Sequence, residues 1–181
     1  TPVEDRPLIP EVAPAGAKGV VHPWRIALSS PDIDHHDRAA VDAVLRSGRL
    51  AGGPAIGQLE QLASDTFRRP TVSCSSGTAG LILALRALGV SGGAVITPAL
   101  GFIATAHAIR AVGATPRVCD VDRETLCVGL EQLEAAWSDD VSAVIPVDLL
   151  GVQVPIDAIV EWAKQRAVPV IEDACEALGS R

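Results

Sequence analysis

From Thr71 onward, short apolar runs alternate with segments of helical period, and no other feature of the sequence restricts its fold as tightly. Thr71–Cys74, Ala94–Thr97, Pro116–Val121, Val141–Val147 and Val168–Ile171 have the length and composition of strands. Thr78–Leu88, Phe102–Val112, Leu130–Trp137 and Ile156–Arg166 fall between them as helices. Strands separated by helices of this length imply βαβ units. The expected fold class is therefore α/β, with three layers: a mainly parallel sheet flanked by helices. Thr78–Leu88 is almost wholly apolar and is expected to be buried, with Gly89 as its C-terminal stop. Val168–Ile171 reads as a buried parallel strand opened by a proline.

The chain before Thr71 is organised differently. Thr1 to about Trp24 is rich in Pro, Gly and Ala, shows no period, and reads as a leader or an arm that packs on a neighbour. Asp34–Arg46 is amphipathic, with Ala40, Val41, Val44 and Leu45 on one face and Gly48 to end it. Leu50–Pro54 is a loop, and Ile56, Leu59, Leu62, Ala63 and Phe67 mark a second amphipathic helix.

Composition removes several function classes. At 181 residues, 48% hydrophobic and 20% charged, the chain has the profile of a globular domain with a real core. Aromatics are only 3%, so that core is mostly Ala, Val, Leu and Ile. A net charge of −7 with scattered Lys and Arg argues against a nucleic-acid partner. No run reaches transmembrane length and no signal-peptide pattern opens the chain, so no membrane partner is expected. Cys74, Cys119, Cys127 and Cys175 lack metal-ligand spacing and read as reduced thiols of a cytoplasmic protein. With no Met and Thr first, the start of the chain is expected to be processed or missing.

Three stretches could carry chemistry. Asp173 falls where the strand Val168–Ile171 would end, and ligands of open α/β sheets sit outside the carboxyl ends of strands. It could meet a cationic ring nitrogen or a sugar hydroxyl, or simply cap the next helix. Glu176, three residues on, faces the same side if the chain turns helical. Ser75-Ser-Gly-Thr-Ala79 joins a strand to a helix. There Gly77 lets a phosphate approach the backbone and Thr78 adds a hydroxyl, although an ordinary Ser N-cap fits as well. Phe102 lies on the same edge and could stack on a flat cofactor or pack in the core. His35-His36 opens an amphipathic helix rather than following an apolar strand, so solvated first-turn residues are preferred to a metal or phosphoesterase site. His107 has apolar neighbours and reads as a core or interface histidine.

Ser47-Gly-Arg-Leu-Ala-Gly-Gly-Pro54, Ser76-Gly-Thr-Ala79, Thr97-Pro-Ala-Leu-Gly-Phe-Ile-Ala-Thr105, Val147-Asp-Leu-Leu-Gly151 and Ile171-Glu-Asp-Ala-Cys-Glu-Ala-Leu-Gly179 occur in this order. Together they resemble the DegT/StrS family of sugar aminotransferases, which use pyridoxal phosphate on the type I, aspartate aminotransferase fold. The likeness runs from about Trp24 to Arg181. It implies that Gly77 and Thr78 hold the cofactor phosphate, Phe102 stacks on the pyridine ring and Asp173 pairs with the ring nitrogen. It places Glu176 near the ring hydroxyl, where many members carry Gln or His. Asp148 stands for a commonly seen His, and Arg49 for a commonly seen Trp.

The resemblance also implies a nucleotide-linked keto sugar as substrate, an amino-acid donor such as glutamate, and a homodimer with the leader and the Leu50–Pro54 loop as contact segments. The chain's only lysines are Lys18 and Lys164, whereas the family's Schiff-base lysine follows the Asp motif. No catalytic residue is therefore assigned within this chain, and the lysine is expected beyond Arg181. Residues 25–181 read as the first part of a type I PLP-binding large domain, with the C-terminal part of the enzyme absent. As given, the chain is expected to bind the cofactor weakly and to turn nothing over. Two other readings remain: a dehydratase of the same family, and a non-catalytic remnant that binds a partner.

Overall fold

The structure is a computed structural model, described here for residues 31–180. The expected leader, residues 1–24, and Lys18 lie outside the described residues. Two compact units divide between Gln58 and Leu59.

In the first unit, α1 (His35–Ser47) follows the expected boundaries closely. Asp34 caps it, accepting from the amides of His36 and Asp37, while the Asp37 carboxylate reaches back to the Asp34 amide. Gly48 ends it in the left-handed conformation. His35 and His36 are exposed in the first turn, as their position in the sequence suggested. The helix α2 (Pro54–Phe67) opens on a proline, whose missing N–H costs nothing there.

The second unit is built on a parallel sheet of β1 (Ala94–Pro98), β2 (Thr115–Cys119) and β3 (Val141–Val144), in the order β2-β1-β3. Segment 168–173 runs parallel to β3 and its continuation as a fourth line of chain, with bridges Val144–Val170 and Val147–Asp173. It was expected as a regular buried strand. It makes isolated bridges instead and is only half-buried over 168–171, because Pro146 and Pro169 each remove a ladder donor.

Alternation along β1 sends Val95 to one face and Ala94 and Ile96 to the other. Val95 joins Leu81 and Leu85 of α3 (Gly77–Ala87) and Ala108 and Ile109 of α4 (Ile103–Ala111). Ile96 joins Leu133 of α5 (Leu130–Ala136) and Ile159, Trp162 and Ala163 of α6 (Ile156–Lys164). Helices cover both faces, which gives the three layers the pattern required and explains why every residue of β1 is buried.

Three expectations need correction. Residues 71–74 are not a strand. Among the described residues no strand pairs with them, and their amides bond to α2 side chains instead. Thr71 N–H donates to Ser64 Oγ at 3.0 Å and Ser73 N–H to Glu60 Oε1 at 2.8 Å; the Ser73 amide, with the Ser73 hydroxyl, holds the Glu60 carboxyl below its ordinary range. Secondly, α3 is not buried all round: Leu81 and Leu85 are inside, but Leu83 is 54% exposed. Thirdly, His107 is exposed on α4, which removes the core alternative of the two posed for it.

Candidate functional site

After β1 the chain passes to α4 on one face of the sheet, and after β3 it passes to α6 on the other. The two connections part at the carboxyl ends of β1 and β3, which makes a crevice of the kind where α/β sheets bind ligands. A cavity of about 290 Å³ lies there. Gly77, Thr78, Phe102, Asp173 and Glu176, all singled out from the sequence, line it together with Ser76, Leu81, Val147, Leu149 and Cys175.

One end of the cavity is the N-terminus of α3. Ser76 is the N-cap, and its hydroxyl oxygen accepts from the Ala79 amide at 3.1 Å. That leaves the amides of Gly77 and Thr78 without an acceptor among the described residues, at the positive end of the helix dipole. A Cβ on Gly77 would stand 2.6 Å from Cys175 Sγ, so only glycine leaves this approach open. The alternatives posed by the sequence, cap or cup, are therefore not exclusive: the serine caps one amide and two others stay free.

Asp173 forms the opposite wall and is only 7% exposed. Its Oδ2 accepts from Thr105 Oγ1 at 2.7 Å, and its Oδ1 accepts from the Cys175 amide at 3.4 Å. A buried carboxylate is costly unless hydrogen-bonded, and these contacts meet that need. The neighbouring Asp173 carboxylate, with burial, pushes the Cys175 thiol up to about 11. Phe102, the N-cap residue of α4, is 74% exposed at the cavity, so it is not a core residue.

Glu176 does more than line the wall. Its Oε2 accepts from the Leu150 amide at 2.7 Å. Leu150 sits in a single 3₁₀ turn, Leu149–Gly151, with a left-handed φ of 53°, so the carboxylate pins a strained turn whose Leu149 faces the cavity. Asp148 is 2% exposed and does not line the cavity; its Oδ1 accepts from the Val154 amide at 2.9 Å. Lys164 is exposed in the last turn of α6, 3.5 Å from Glu161. That helix leaves the cavity edge and returns to the other edge, where segment 168–173 begins.

Thr105 and Cys175 were given no role in the sequence reading. The signal for Thr105 was its position three residues after Phe102 at the start of a helix, which puts both on one side of the first turn. Nothing in the local sequence pointed Cys175 toward Gly77, a contact across 98 positions.

Comparison with known proteins identifies the family and the fold. The family model described as "DegT/DnrJ/EryC1/StrS aminotransferase family" matches residues 31–181. Among solved structures, the chain is similar to an aminotransferase from Psychrobacter cryohalolentis, with 29% identity and a TM-score of 0.79 over 82% of this chain and 39% of that one. It is also similar to NtdA from Bacillus subtilis with bound cofactor PMP, with 33% identity and a TM-score of 0.75 over 78% of this chain and 33% of that one. A Streptococcus pneumoniae protein assigned as a sugar aminotransferase, in its PLP form, gives 32% identity and a TM-score of 0.79 over 86% of this chain and 44% of that one. The chain spans less than half the length of each of these structures.

Proposed function

The chain belongs to the DegT/DnrJ/EryC1/StrS aminotransferase family, and from that premise we propose that it is the first part of a pyridoxal-phosphate-dependent sugar aminotransferase. The observation that carries this reading is the cavity itself. An open helix N-terminus, an exposed aromatic ring and a buried, hydrogen-bonded acid converge on about 290 Å³, at the small end of ligand sites and suited to one phosphorylated ring.

The residues present fit that cofactor. The amides of Gly77 and Thr78 and the Thr78 hydroxyl would hold its phosphate. Phe102 would cover one face of its ring, and Asp173 would meet the protonated ring nitrogen. When bound, the cofactor supplies an electron sink for the carbon that exchanges its amino group. Glu176 would keep Leu149 against the ring and stand near the ring hydroxyl. Asp173 is shut away from water, which strengthens its hold on the nitrogen's proton. Lys164 stands at the other sheet edge, away from the cavity. On this reading the lysine that anchors the cofactor and moves the proton is not Lys164, and Lys164 is expected to make no covalent link to the cofactor.

The wider assignment follows the family: a nucleotide-linked keto sugar as acceptor, an amino acid such as glutamate as donor, a place in amino-sugar biosynthesis, a cytoplasmic homodimer. In the same spirit, residues 25–181 are proposed as the opening part of the large domain. No helix among the described residues is long and apolar enough to cross a membrane.

Pyridoxamine 5′-phosphate is the direct probe, because it occupies such a site without needing a lysine. Calorimetric titration should show stoichiometric binding that Asp173→Ala weakens by about tenfold or more, the order expected for losing a charged hydrogen bond. Pyridoxal 5′-phosphate with borohydride should leave no stoichiometric adduct on Lys164. A folded chain that ignores both compounds would sink this reading, and an adduct on Lys164 with turnover of a keto sugar would overturn the division of labour.

A further inference from the structure

Thr105 is 3% exposed, has no part in the cavity lining, and still makes the shortest contact to the buried acid, 2.7 Å from its Oγ1 to Asp173 Oδ2. Its own amide bonds to the carbonyl of Phe102 at 3.2 Å. One turn of α4 therefore ties together the ring that flanks the cavity and the acid that closes it. The other carboxylate oxygen is held more loosely, by the Cys175 amide at 3.4 Å. The two carboxylate oxygens are thus unequally held.

We propose that Thr105 is a positioning residue: through its hydroxyl it fixes the Asp173 carboxylate in the one orientation that can meet a ring nitrogen beneath Phe102. The proposal rests on the cofactor reading above for what the acid meets, but not for the clamp itself. Asp173 reaches the site at the end of segment 168–173, which makes only isolated bridges and so gives the side chain little support of its own. The backbone there is anchored by Asp173 N–H to the Pro146 carbonyl at 2.9 Å and by its carbonyl to the Asp148 amide at 3.1 Å. Those bonds set where the Cα stands, and the χ angles are left to Thr105 and Cys175. Thr105 is the stronger holder, because an O–H donor at this distance to a buried carboxylate is a charge-assisted bond. The Cys175 amide, at 3.4 Å, is the weaker second donor. Placing the clamp on α4 makes the acid and the ring move together.

The test uses the 181-residue chain with Thr105→Val, which keeps the shape and removes the hydroxyl, and Thr105→Ser, which keeps the hydroxyl. Side-chain scalar couplings of Asp173 are read first, without cofactor. The native chain and Thr105→Ser should show a single rotamer, and Thr105→Val should show averaging. Titration with pyridoxamine 5′-phosphate follows. Thr105→Val should bind about five- to tenfold more weakly, Thr105→Ser within about twofold of native, consistent with one charged hydrogen bond acting through a second group. A folded Thr105→Val that keeps Asp173 in one rotamer overturns the proposal, whatever the binding result. A native chain with Asp173 locked, averaging in Thr105→Val and no binding of the probe to the native chain would support the clamp and refute the cofactor reading, so the two ideas fail separately.

Discussion

The two edges of one sheet are built to opposite rules. At the carboxyl edge stand Thr97, Thr105, Asp148 and Asp173, the buried polar and charged residues of the described chain. The amino edge is closed by backbone. Thr115 N–H bonds to the Gly93 carbonyl and Ala94 N–H to the Asp140 carbonyl, each at 2.9 Å, so the starts of all three strands are stitched together. The Ser142 hydroxyl donates to the carbonyls of Gly92 and Ala94. Arg117 grips Asp140 through two bonds of 2.9 Å and holds its carboxyl below the usual range, but that pair is at the surface and adds little stability. Burying a carboxylate is costly, and a fold with a cheap way to finish one edge would use it at both. On the proposed reading, the contrast sets an edge shaped by a ligand against an edge shaped by stability.

The strongest way to break this contrast is at the amino edge. Gly93 has φ of 71°, and a Cβ there would lie 2.7 Å from the Asp140 carbonyl oxygen and 3.2 Å from Ser142 Cβ. Backbone cannot step aside as a side-chain tip can. Gly93→Ala should therefore cost about 2–4 kcal/mol in urea unfolding, from strain and overpacking together. The fraction that stays folded should bind pyridoxamine 5′-phosphate as the native chain does. Weakened binding by folded Gly93→Ala protein would show that the two edges are coupled.

Gly77→Ala is the matching change at the carboxyl edge. The added Cβ meets only the Cys175 sulfur, which can rotate away, and the φ of Gly77 is not left-handed. Stability should fall by about 1 kcal/mol or less, since the strain relaxes through one rotamer. Affinity for pyridoxamine 5′-phosphate should fall by about tenfold or more, because the closest approach of ligand to backbone is lost. Equal loss of stability in the two alanine variants would erase the distinction.

How much of this could be read beforehand depended on whether a residue's role was local. The alternation after Thr71 predicted the layers, because side-chain period and strand burial are local consequences of sequence. Part of the cavity was legible for a related reason: in a parallel sheet every strand ends at the same edge, so Phe102, after β1, and Asp173, at the end of segment 168–173, had to come near one another, whereas the start of α3 reaches that edge with no strand before it. Residues 71–74 misled because a strand is made by its neighbour, and here Glu60 and Ser64 supply partners that no periodicity announces. The outer side of α3 misled because an apolar composition cannot say how many faces are covered. The spacing from Phe102 put Thr105 on the right side of α4, but its bond to Asp173 was not legible because that partner lies 68 positions away.

The smallest expected effect tests the carboxyl edge from behind the cavity. Glu172 precedes Asp173 and so points to the other side of the extended segment. Burial raises its carboxyl above the ordinary value of 4.5, and the neighbouring Asp148, by charge and by hydrogen bond, raises it further. An acid with a raised native pKa binds more protons folded than unfolded across the interval between the two values. Stability therefore falls as pH rises through that interval. The favourable contribution is complete below about 4.5 and is lost once the pH has passed the native value. Glu172→Gln keeps the shape, can still donate to Asp148 and does not titrate. Compared with native chain in urea unfolding between pH 4 and 7, the variant should gain relative stability as pH rises, by a small amount because Glu172 is largely open to solvent. Its affinity for pyridoxamine 5′-phosphate should stay unchanged, since Glu172 does not line the cavity. Parallel pH profiles for the two proteins would mean that neither burial nor Asp148 raises the Glu172 carboxyl in the folded chain. The buried acid at position 148 would then owe its place to the Val154 amide alone.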